Sequence, residues 1–328
     1  MSPNDLDGVS GDGPPRFGGY TPRRIMKRIL VTGATGQIGG KVVAQLRNAG
    51  CRVRALSRSP QNSKLPHDVE IAQGDLSAPA TLDAALDGVD AIFLVWVGTL
   101  EAATSAIPRI APRTDRIVLL SSPHRAPHPF FQQPNGLRAI HAGLDRLVEE
   151  SGRQWTILRP GPFALNCRNW WASQIATSDV VRWCHAEAET APVDERDIAA
   201  VAVRALLDDG HDGHEYVLTG PASLTQREQV RIIGEAIGRV LAYDDLAPAE
   251  AREVMQALMP VPVVSMLFDA YGAAVGTPAF LTSTIADITG TPAHSFRQWA
   301  TDHAADFARA VGIGSVRAGP IPSSNRLD

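Results

Sequence analysis

A glycine-rich turn between an apolar strand and an amphipathic helix constrains this chain more than any other feature. The segment ILVTGATGQIGG places Gly33, Gly36 and Gly39 three residues apart, directly after an apolar run and at the start of a helical pattern. Glycines at this spacing let the backbone turn tightly and approach a pyrophosphate, whose charge is stabilised by the positive end of the helix. The motif predicts a dinucleotide site, and a glycine turn without a ligand is the alternative.

Apolar strands and helical segments alternate from Lys27 to Pro160. Runs such as DAIFLVWV and RIVLLSS are apolar throughout and are separated by segments with helical spacing. Strands of this kind are buried on both faces, which is typical of a parallel sheet covered by helices. We therefore expect an α/β fold, a doubly wound parallel sheet of the Rossmann type.

The strand and helix rhythm weakens after residue 160. Residues 161–193 are aromatic and lack a clear period, and such a long connection indicates a functional loop or lid. Helical patterns then resume, and the segment HEYVLTG returns one further strand to the sheet. The predicted division, in chain order, is a disordered leader, a Rossmann domain, a smaller and mostly helical substrate-binding cap with returning strands of the sheet, and a flexible tail: residues 1–24, 25–160, 161–312 and 313–328.

Composition excludes several classes of function. The chain has 328 residues, a formal net charge of −4 and 44% hydrophobic residues, which is typical of a globular protein with a sizeable core. No basic stripe alternates with aromatic residues, so no nucleic-acid partner is expected. Cys51, Cys167 and Cys184 are far apart, which argues against disulfides and zinc and favours a cytoplasmic location. No apolar run reaches transmembrane length and no secretory signal is evident, so no membrane association is expected.

The end of the second strand bears on the choice of cofactor. An NAD site usually has an acidic residue here, whereas this chain has Ser57 and Arg58. A guanidinium suits a 2′-phosphate, so NADPH is preferred over NADH, unless Arg58 is a solvated charge or stacks on adenine. Asp75, after the third strand, is placed to meet the adenine amino group or to cap a helix. The predicted cofactor-binding residues are Gly33, Thr35, Gly36, Gln37, Ile38, Ser57, Arg58, Asp75, Leu76 and Val95.

Together these segments resemble an atypical short-chain dehydrogenase/reductase of the NmrA-like group. The resemblance covers about residues 27 to 310 and rests on VTGATGQIGG, RALSRSP, GDL, LLSS, HAGLDRLVEESGRQWTILRPGPF, DERDIAAVA and ITGTPAHSFRQWATDHAADF. The group includes quinone reductases, natural-product reductases and redox sensors that bind NADP. The resemblance therefore implies the fold and the cofactor, while the reaction has to be argued from the site.

The usual proton donor of the wider superfamily is missing. Its Tyr-x-x-x-Lys pair would fall on Leu137 and His141, and no tyrosine of this chain has a lysine four residues later. Similar members carry a histidine at the position of His141, four residues before an acidic residue that is matched here by Asp145. The proton is therefore expected from solvent, from the substrate or from His141.

His141 and Ser122 are the candidate catalytic residues. An imidazole can donate a proton near neutral pH, bond the cofactor ribose or nicotinamide, or serve the structure alone. Ser122 follows the fifth strand, where its hydroxyl can contact the substrate oxygen or close a turn. His124 and His128 are expected in a loop over the site, and without acidic neighbours at ligand spacing they are interpreted as solvated residues and not as metal ligands.

Aromatic residues after the sixth strand predict the substrate pocket. Phe163 and Trp170 can line it, and Asn166 and His124 can supply hydrogen bonds. The alternative is that these rings close a core beneath the cap, which we expect for at least one of Trp170 and Trp171. An aromatic pocket suits a small aromatic substrate.

The sequence thus predicts an NADPH-dependent oxidoreductase that transfers a hydride to an aromatic ketone or a quinone, in a natural-product or detoxification pathway. Such acceptors take their proton from water or from their own hydroxyl group, so the loss of tyrosine and lysine does not prevent reduction. Two alternatives stay open, a regulatory protein that senses NADP(H) and a redox-neutral enzyme that retains the cofactor. Apolar faces on the helices beside the fifth strand would suit a homodimer.

Overall fold

The computed structural model of the protein describes residues 27–256 and 261–308. The predicted leader, 1–24, and the predicted tail, 313–328, lie outside the described residues. The strands of the described chain are, in order, β1 (Arg28–Val31), β2 (Arg52–Ser57), β3 (Glu70–Gln73), β4 (Ala91–Val95), β5 (Arg116–Leu120), β6 (Gln154–Pro160), β7 (Val180–Trp183), β8 (Glu189–Thr190), β9 (His214–Leu218), β10 (Leu224–Thr225) and β11 (Ala242–Asp245).

Helices pack on the main β-sheet, which is described below, and form much of the C-terminal half of the chain. They are α1 (Gln37–Asn48), α2 (Asp83–Leu86), α3 (Leu100–Ile110), α4 (Gly136–Glu149), α5 (Leu165–Thr177), α6 (Glu195–Leu207), α7 (Gln226–Ala236), α8 (Pro248–Gln256), α9 (Val261–Ala274), α10 (Thr284–Thr289) and α11 (Phe296–Asp302). Across the described ranges, no helix combines the length and the apolar character that crossing a membrane requires.

Seven strands form one parallel sheet in the order β3-β2-β1-β4-β5-β6-β9. The chain starts in the middle of the sheet, builds outwards through β2 and β3, and then crosses to β4 on the other side of β1. This confirms the predicted doubly wound Rossmann fold. The strand order reverses between β1 and β4, where Val31 is paired with Phe93, and open sheets of this kind bind ligands at the carboxyl ends of the strands next to such a point.

Both faces of the sheet are buried at its centre, which explains why the strands β1, β4 and β5 are almost entirely apolar. Ile29 and Val31 point to one face, where they pack with α1 and α6, and Leu30 points to the other, where it packs with α3 and α4. Successive side chains of a strand alternate between the faces, so two covered faces demand an apolar residue at every position.

The sheet uses residues on both sides of the predicted division at residue 160. Strand β9 pairs with β6 in parallel, and α6 packs against α1, where the Gln45 side-chain amide donates to the Arg196 carbonyl at 2.9 Å. Helices α5, α7, α8, α9 and α11 surround a core of their own, which contains Trp171, Trp183 and Trp299, whereas α10 packs against α6.

The prediction of a loop or lid over 161–193 was wrong for much of that segment. It contains the 13-residue helix α5 and the short strands β7 and β8, which pair with β11 and β10. Trp171 and Ile175 lie on a buried side of α5, but polar residues such as Asn166 and Gln174 stand between its buried positions. This mixture of polar and apolar residues leaves almost no amphipathic period for sequence analysis to detect.

Helix α1 approaches the end of β1 so closely that Gly39 has no room for a side chain. A Cβ atom there would lie 2.1 Å from the Gly33 carbonyl oxygen, which belongs to the backbone and cannot move aside. We expect Gly39→Ala to lower the free energy of unfolding by about 1–3 kcal/mol, as overpacking does elsewhere. Urea denaturation measures this loss.

Gly40→Ala is the matched control in the same helix. A Cβ at Gly40 would meet its nearest neighbour, the Ala34 carbonyl oxygen, at an ordinary 3.5 Å. Because alanine favours a helix over glycine by about 1 kcal/mol, Gly40→Ala should be neutral or stabilising. Equal losses in the two variants would contradict the close contact.

Candidate active site at the carboxyl edge of the sheet

Two cavities adjoin at the carboxyl ends of the strands, beside the point where the strand order reverses. The larger has a volume of about 810 Å³ and the smaller of about 400 Å³, and Val95 at the end of β4 lines both. The Thr32 hydroxyl holds the backbone of Val95 in place, since it accepts from the Val95 amide at 2.7 Å and donates to the Val95 carbonyl at 2.9 Å. The two cavities therefore share a fixed wall residue at the edge of the sheet.

The glycine turn leaves the N-terminus of α1 uncapped by any side chain. Gly33 has a φ of +63°, a backbone conformation that favours glycine, and a Cβ on it would lie 3.1 Å from that of Val95. Gly36 is the N-cap residue of α1, whose first turn carries no acidic residue. Helices α3 and α4, by contrast, are capped by the side chains of Thr99 and Asn135. An open helix N-terminus beside a long cavity fits the pyrophosphate of a dinucleotide.

Seven of the ten predicted cofactor-binding residues line the larger cavity: Gly33, Thr35, Ser57, Arg58, Asp75, Leu76 and Val95. Gly36, Gln37 and Ile38 form the start of α1 instead and are absent from the lining. Their contribution to binding through backbone groups stays a prediction.

Two cations line the larger cavity after β2. Arg58 is exposed there and has no carboxylate within 4.0 Å among the described residues. Lys64, which sequence reasoning missed, lines the same wall. The only feature of the sequence that pointed to Lys64 was its position, as a second basic residue in the loop after Arg58. Together they give this part of the cavity lining a positive charge.

Asp75 lies in the wall opposite these cations. Its carboxylate accepts from the Ser77 amide at 2.9 Å and from the Ser77 hydroxyl at 2.7 Å, so it closes a turn and does not cap a helix. Partial burial acts to raise the pKa of Asp75, but the two bonds from Ser77 and the charge of Arg58 bring this pKa below its ordinary value. Asp75 is therefore an ionised acceptor on the cavity wall.

The smaller cavity has a mainly apolar wall that contains several aromatic rings. Four predicted substrate-binding residues line it, namely His124, Phe163, Asn166 and Trp170. Phe130 and Tyr271 complete the wall, and the Tyr271 ring is 5.1 Å from that of Phe130 and 6.0 Å from that of Trp170. Burial raises the pKa of Tyr271 well above its usual value, which keeps the phenol neutral. Trp171, the neighbour of Trp170, is fully buried in the C-terminal core, to which Trp170 and Tyr271 also belong.

His141 lines the smaller cavity from α4. Burial lowers its pKa; the Asp145 carboxylate acts in the opposite direction, and His124 and Arg159 add to the lowering. The ring is therefore neutral at neutral pH, and its buried Nδ1 atom has no hydrogen-bond partner among the described residues. A neutral imidazole can hydrogen-bond a bound ligand, but it is a poor source of a proton.

Ser122 and His124 lie together at the end of β5. The Ser122 hydroxyl is 3.3 Å from Nδ1 of His124, and Nε2 of the same ring is 3.5 Å from an oxygen of Asp145. Burial, together with the charge of Arg159, lowers the pKa of His124 despite the opposing effect of Asp145. A neutral His124 with its proton on Nε2 accepts from Ser122 and so orients that hydroxyl.

The interpretation of His124 and His128 as solvated loop residues was wrong, because each is only 6% exposed. The loop folds inward, and Nε2 of His128 lies 3.0 Å from the carbonyl oxygen of Pro278 while its Nδ1 accepts from the Phe130 amide. Across the described residues, no group of three or more His, Cys, Asp or Glu side chains is arranged to hold a metal ion.

A buried ion pair supports this end of the sheet. Arg159 on β6 donates to Asp145 on α4 at 2.7 Å, and both side chains are completely inaccessible to solvent. Ser121 donates to the other oxygen of Asp145 at 2.6 Å, and Arg159 also donates to the Ser122 carbonyl at 3.0 Å. Sequence reasoning missed the role of Arg159, for which the signal was an arginine inside the apolar strand TILRP.

Comparisons with known proteins agree with this geometry. Residues 33–209 match a family model described as NAD(P)H-binding. The (4-alkanoyl-5-oxo-2,5-dihydrofuran-3-yl)methyl phosphate reductase of Streptomyces griseus is 36% identical over 285 residues, which cover 85% of this chain and 99% of that protein. The NAD(P)H azoreductase of Xenophilus azovorans is 32% identical over 298 residues, 86% of this chain and 100% of that protein.

Two solved structures share the fold. The NADPH-dependent quinone oxidoreductase of Escherichia coli, complexed with NADPH, has a TM-score of 0.72 and 23% identity, over 84% of this chain and 99% of that one. The triphenylmethane reductase of Citrobacter sp., complexed with NADP(H), also has a TM-score of 0.72, with 20% identity over 84% and 99% of the two chains.

Removing the charge of Asp145 should destabilise the protein strongly. Asp145→Asn keeps the shape of the side chain but leaves the buried guanidinium of Arg159 with Glu215, 2.7 Å from its Nε atom, as the remaining counter-ion. The loss should therefore stay below the cost of an entirely unpaired buried charge, and urea denaturation should report a loss of about 1.5–3 kcal/mol, as for a hydrogen bond to a charged group.

Asp83→Asn is the control, since Asp83 pairs with Arg109 at the surface, where its side chain is 48% exposed. Solvent screens that pair, so its loss should matter far less. Similar losses in the Asp145 and Asp83 variants would refute a special role for the buried pair.

Proposed function

The chain belongs to the NAD(P)H-binding family, and on that premise we propose that it is an NADPH-dependent reductase of quinones or aromatic ketones. The single observation that carries this proposal is the junction of the two cavities at Val95, one built for a dinucleotide and the other lined by aromatic rings. A hydride can pass between two molecules only where their reacting atoms meet. The junction supplies that meeting point.

The larger cavity is assigned to the cofactor. The uncapped N-terminus of α1 would hold the pyrophosphate, and Arg58 and Lys64 would pair with a 2′-phosphate on the adenosine ribose. Val95 would contact both the cofactor and the acceptor at the junction. When bound, the reduced nicotinamide supplies a hydride to the acceptor.

The smaller cavity is assigned to the acceptor. Phe163 and Trp170 offer flat apolar walls to a ring, and the Asn166 side chain offers an amide. Ser122 gives its only hydroxyl proton to His124, so its oxygen would accept a hydrogen bond from a hydroxyl group of the acceptor. His141 adds a neutral ring whose hydrogen-bonding capacity no described residue uses.

The relatives support the choice of acceptor. Their names describe a dihydrofuranone, an azo compound and a quinone, and these compounds share an electron-poor double bond. Hydride addition to such a conjugated bond yields an anion whose charge is delocalised, so water can protonate it. This chemistry does not need the missing tyrosine and lysine, and it is consistent with a neutral His141.

The proposal predicts NADPH oxidation in the presence of one class of acceptor. A panel of quinones and hydroxyaryl ketones should be tested by following the absorbance of the reduced cofactor. His141→Gln should retain part of the turnover, because water supplies the proton.

Gly36→Val should abolish cofactor binding and turnover, since even a Cβ at Gly36 would lie 3.1 Å from the Gly33 oxygen and larger atoms would fill the turn.

Tight NADPH binding without oxidation by any acceptor would contradict the reductase proposal. A protein that senses NADP(H), or a redox-neutral enzyme that retains the cofactor, would then be the better account. Complete loss of turnover in His141→Gln with the fold intact would instead identify His141 as an obligatory acid.

Arg58→Ala tests the proposed preference for NADPH. The loss of a charge-assisted bond to the 2′-phosphate should raise the KM for NADPH by about tenfold or more, and the KM for NADH should change little. Arg52→Ala is the control, because Arg52 is an exposed arginine at the opposite end of β2. Equal effects of Arg58→Ala on the two cofactors would reject the phosphate contact.

A further inference from the structure

The smaller cavity contains a single charge. Among the described residues that line it there is no aspartate and no glutamate, and the two histidines, His124 and His141, are neutral for the reasons given above. Arg138, in the first turn of α4, is the only permanently charged side chain in that lining. Arg138 is therefore an isolated positive charge in a mainly apolar wall.

Arg138 has little to neutralise it. Its Nη1 atom donates to the Gln132 carbonyl at 3.0 Å, but within the described ranges no carboxylate lies within 4.0 Å of its guanidinium. Other arginines near this site are paired, Arg125 with Glu149 and Arg159 with Asp145. The planar guanidinium of Arg138 therefore retains N–H groups that can donate to a carboxylate, sulfonate or phosphate group.

Resting on the proposed function, we propose that the acceptor carries an anionic substituent and that Arg138 binds it. A cavity of about 400 Å³ is at the small end of the range for ligand pockets, which suits a compound of one or two rings. The aromatic walls hold the ring, and Arg138 fixes its orientation by binding the charged group. Arg138 is thus a specificity residue that discriminates charged from uncharged acceptors.

The experiment compares naphthoquinone sulfonate with unsubstituted naphthoquinone as acceptors for NADPH oxidation. In Arg138→Gln the KM for the sulfonate should rise by about tenfold or more, while the KM for the uncharged quinone and that for NADPH should change less than about twofold. Arg138→Lys should lie between, since it keeps the charge but loses the fork. The comparison is made between variants, so the different reduction potentials of the two quinones cancel.

Arg146→Gln is the matched control. Arg146 is an exposed arginine of the same helix and does not line the cavity, so its loss should leave both KM values unchanged. Added salt should weaken binding of the sulfonate to the wild type and have little effect in Arg138→Gln, because screening acts on the charged pair alone.

The outcomes separate this inference from the proposed function. If the wild type reduces both quinones and Arg138→Gln affects them equally, the anion site is refuted and the reductase stands. If neither quinone is reduced, the reductase proposal fails for this class. Quenching of protein fluorescence, to which Trp170 in the cavity wall contributes, then still measures the binding of each compound to the NADPH complex. A loss of affinity confined to the sulfonate would support Arg138, and its absence would overturn the inference.

Discussion

The buried pair of Arg159 and Asp145 is the interaction on which the active edge of this protein depends. It joins β6 to α4, and through Ser121 and the Ser122 carbonyl it also holds the end of β5. Two charges that are buried away from solvent are stable only where their attraction and additional hydrogen bonds offset the cost of desolvation. Because the same residues surround His124, one network sets the position of the Ser122 hydroxyl and keeps the neighbouring imidazole neutral.

The sheet was predictable from the sequence because its signal is local. The central strands β1, β4 and β5 are covered on both faces and appear as almost continuous apolar runs, and the close approach at Gly39 demands the glycine pattern of the first turn. Helix α5 was not predictable, because polar residues such as Asn166 and Gln174 stand between its buried positions and obscure the helical period. The length of the chain between residue 161 and residue 193 suggested a loop only because that period was missing.

In the candidate site, the residues that could be predicted from the sequence are those at or just after the ends of strands. Residues such as Ser57 and Val95 lie at the carboxyl ends of their strands, and topology brings such ends to one edge. Tyr271 reaches the same site from α9, more than a hundred residues after the last predicted site residue, and no local pattern links it to the edge. The burial of His124 likewise depends on tertiary packing, which a sequence of polar and small residues does not reveal.

The central claim is that an acceptor in the aromatic cavity receives a hydride from a cofactor in the neighbouring one. The most direct test is a single turnover, in which the NADPH complex is mixed with a quinone and the experiment is repeated with NADPH deuterated at the transferred position. The account predicts that bound NADPH is oxidised and that deuterium slows the oxidation. Bound NADPH that survives in the presence of the quinone, or oxidation at the rate of the reaction without protein, would contradict it.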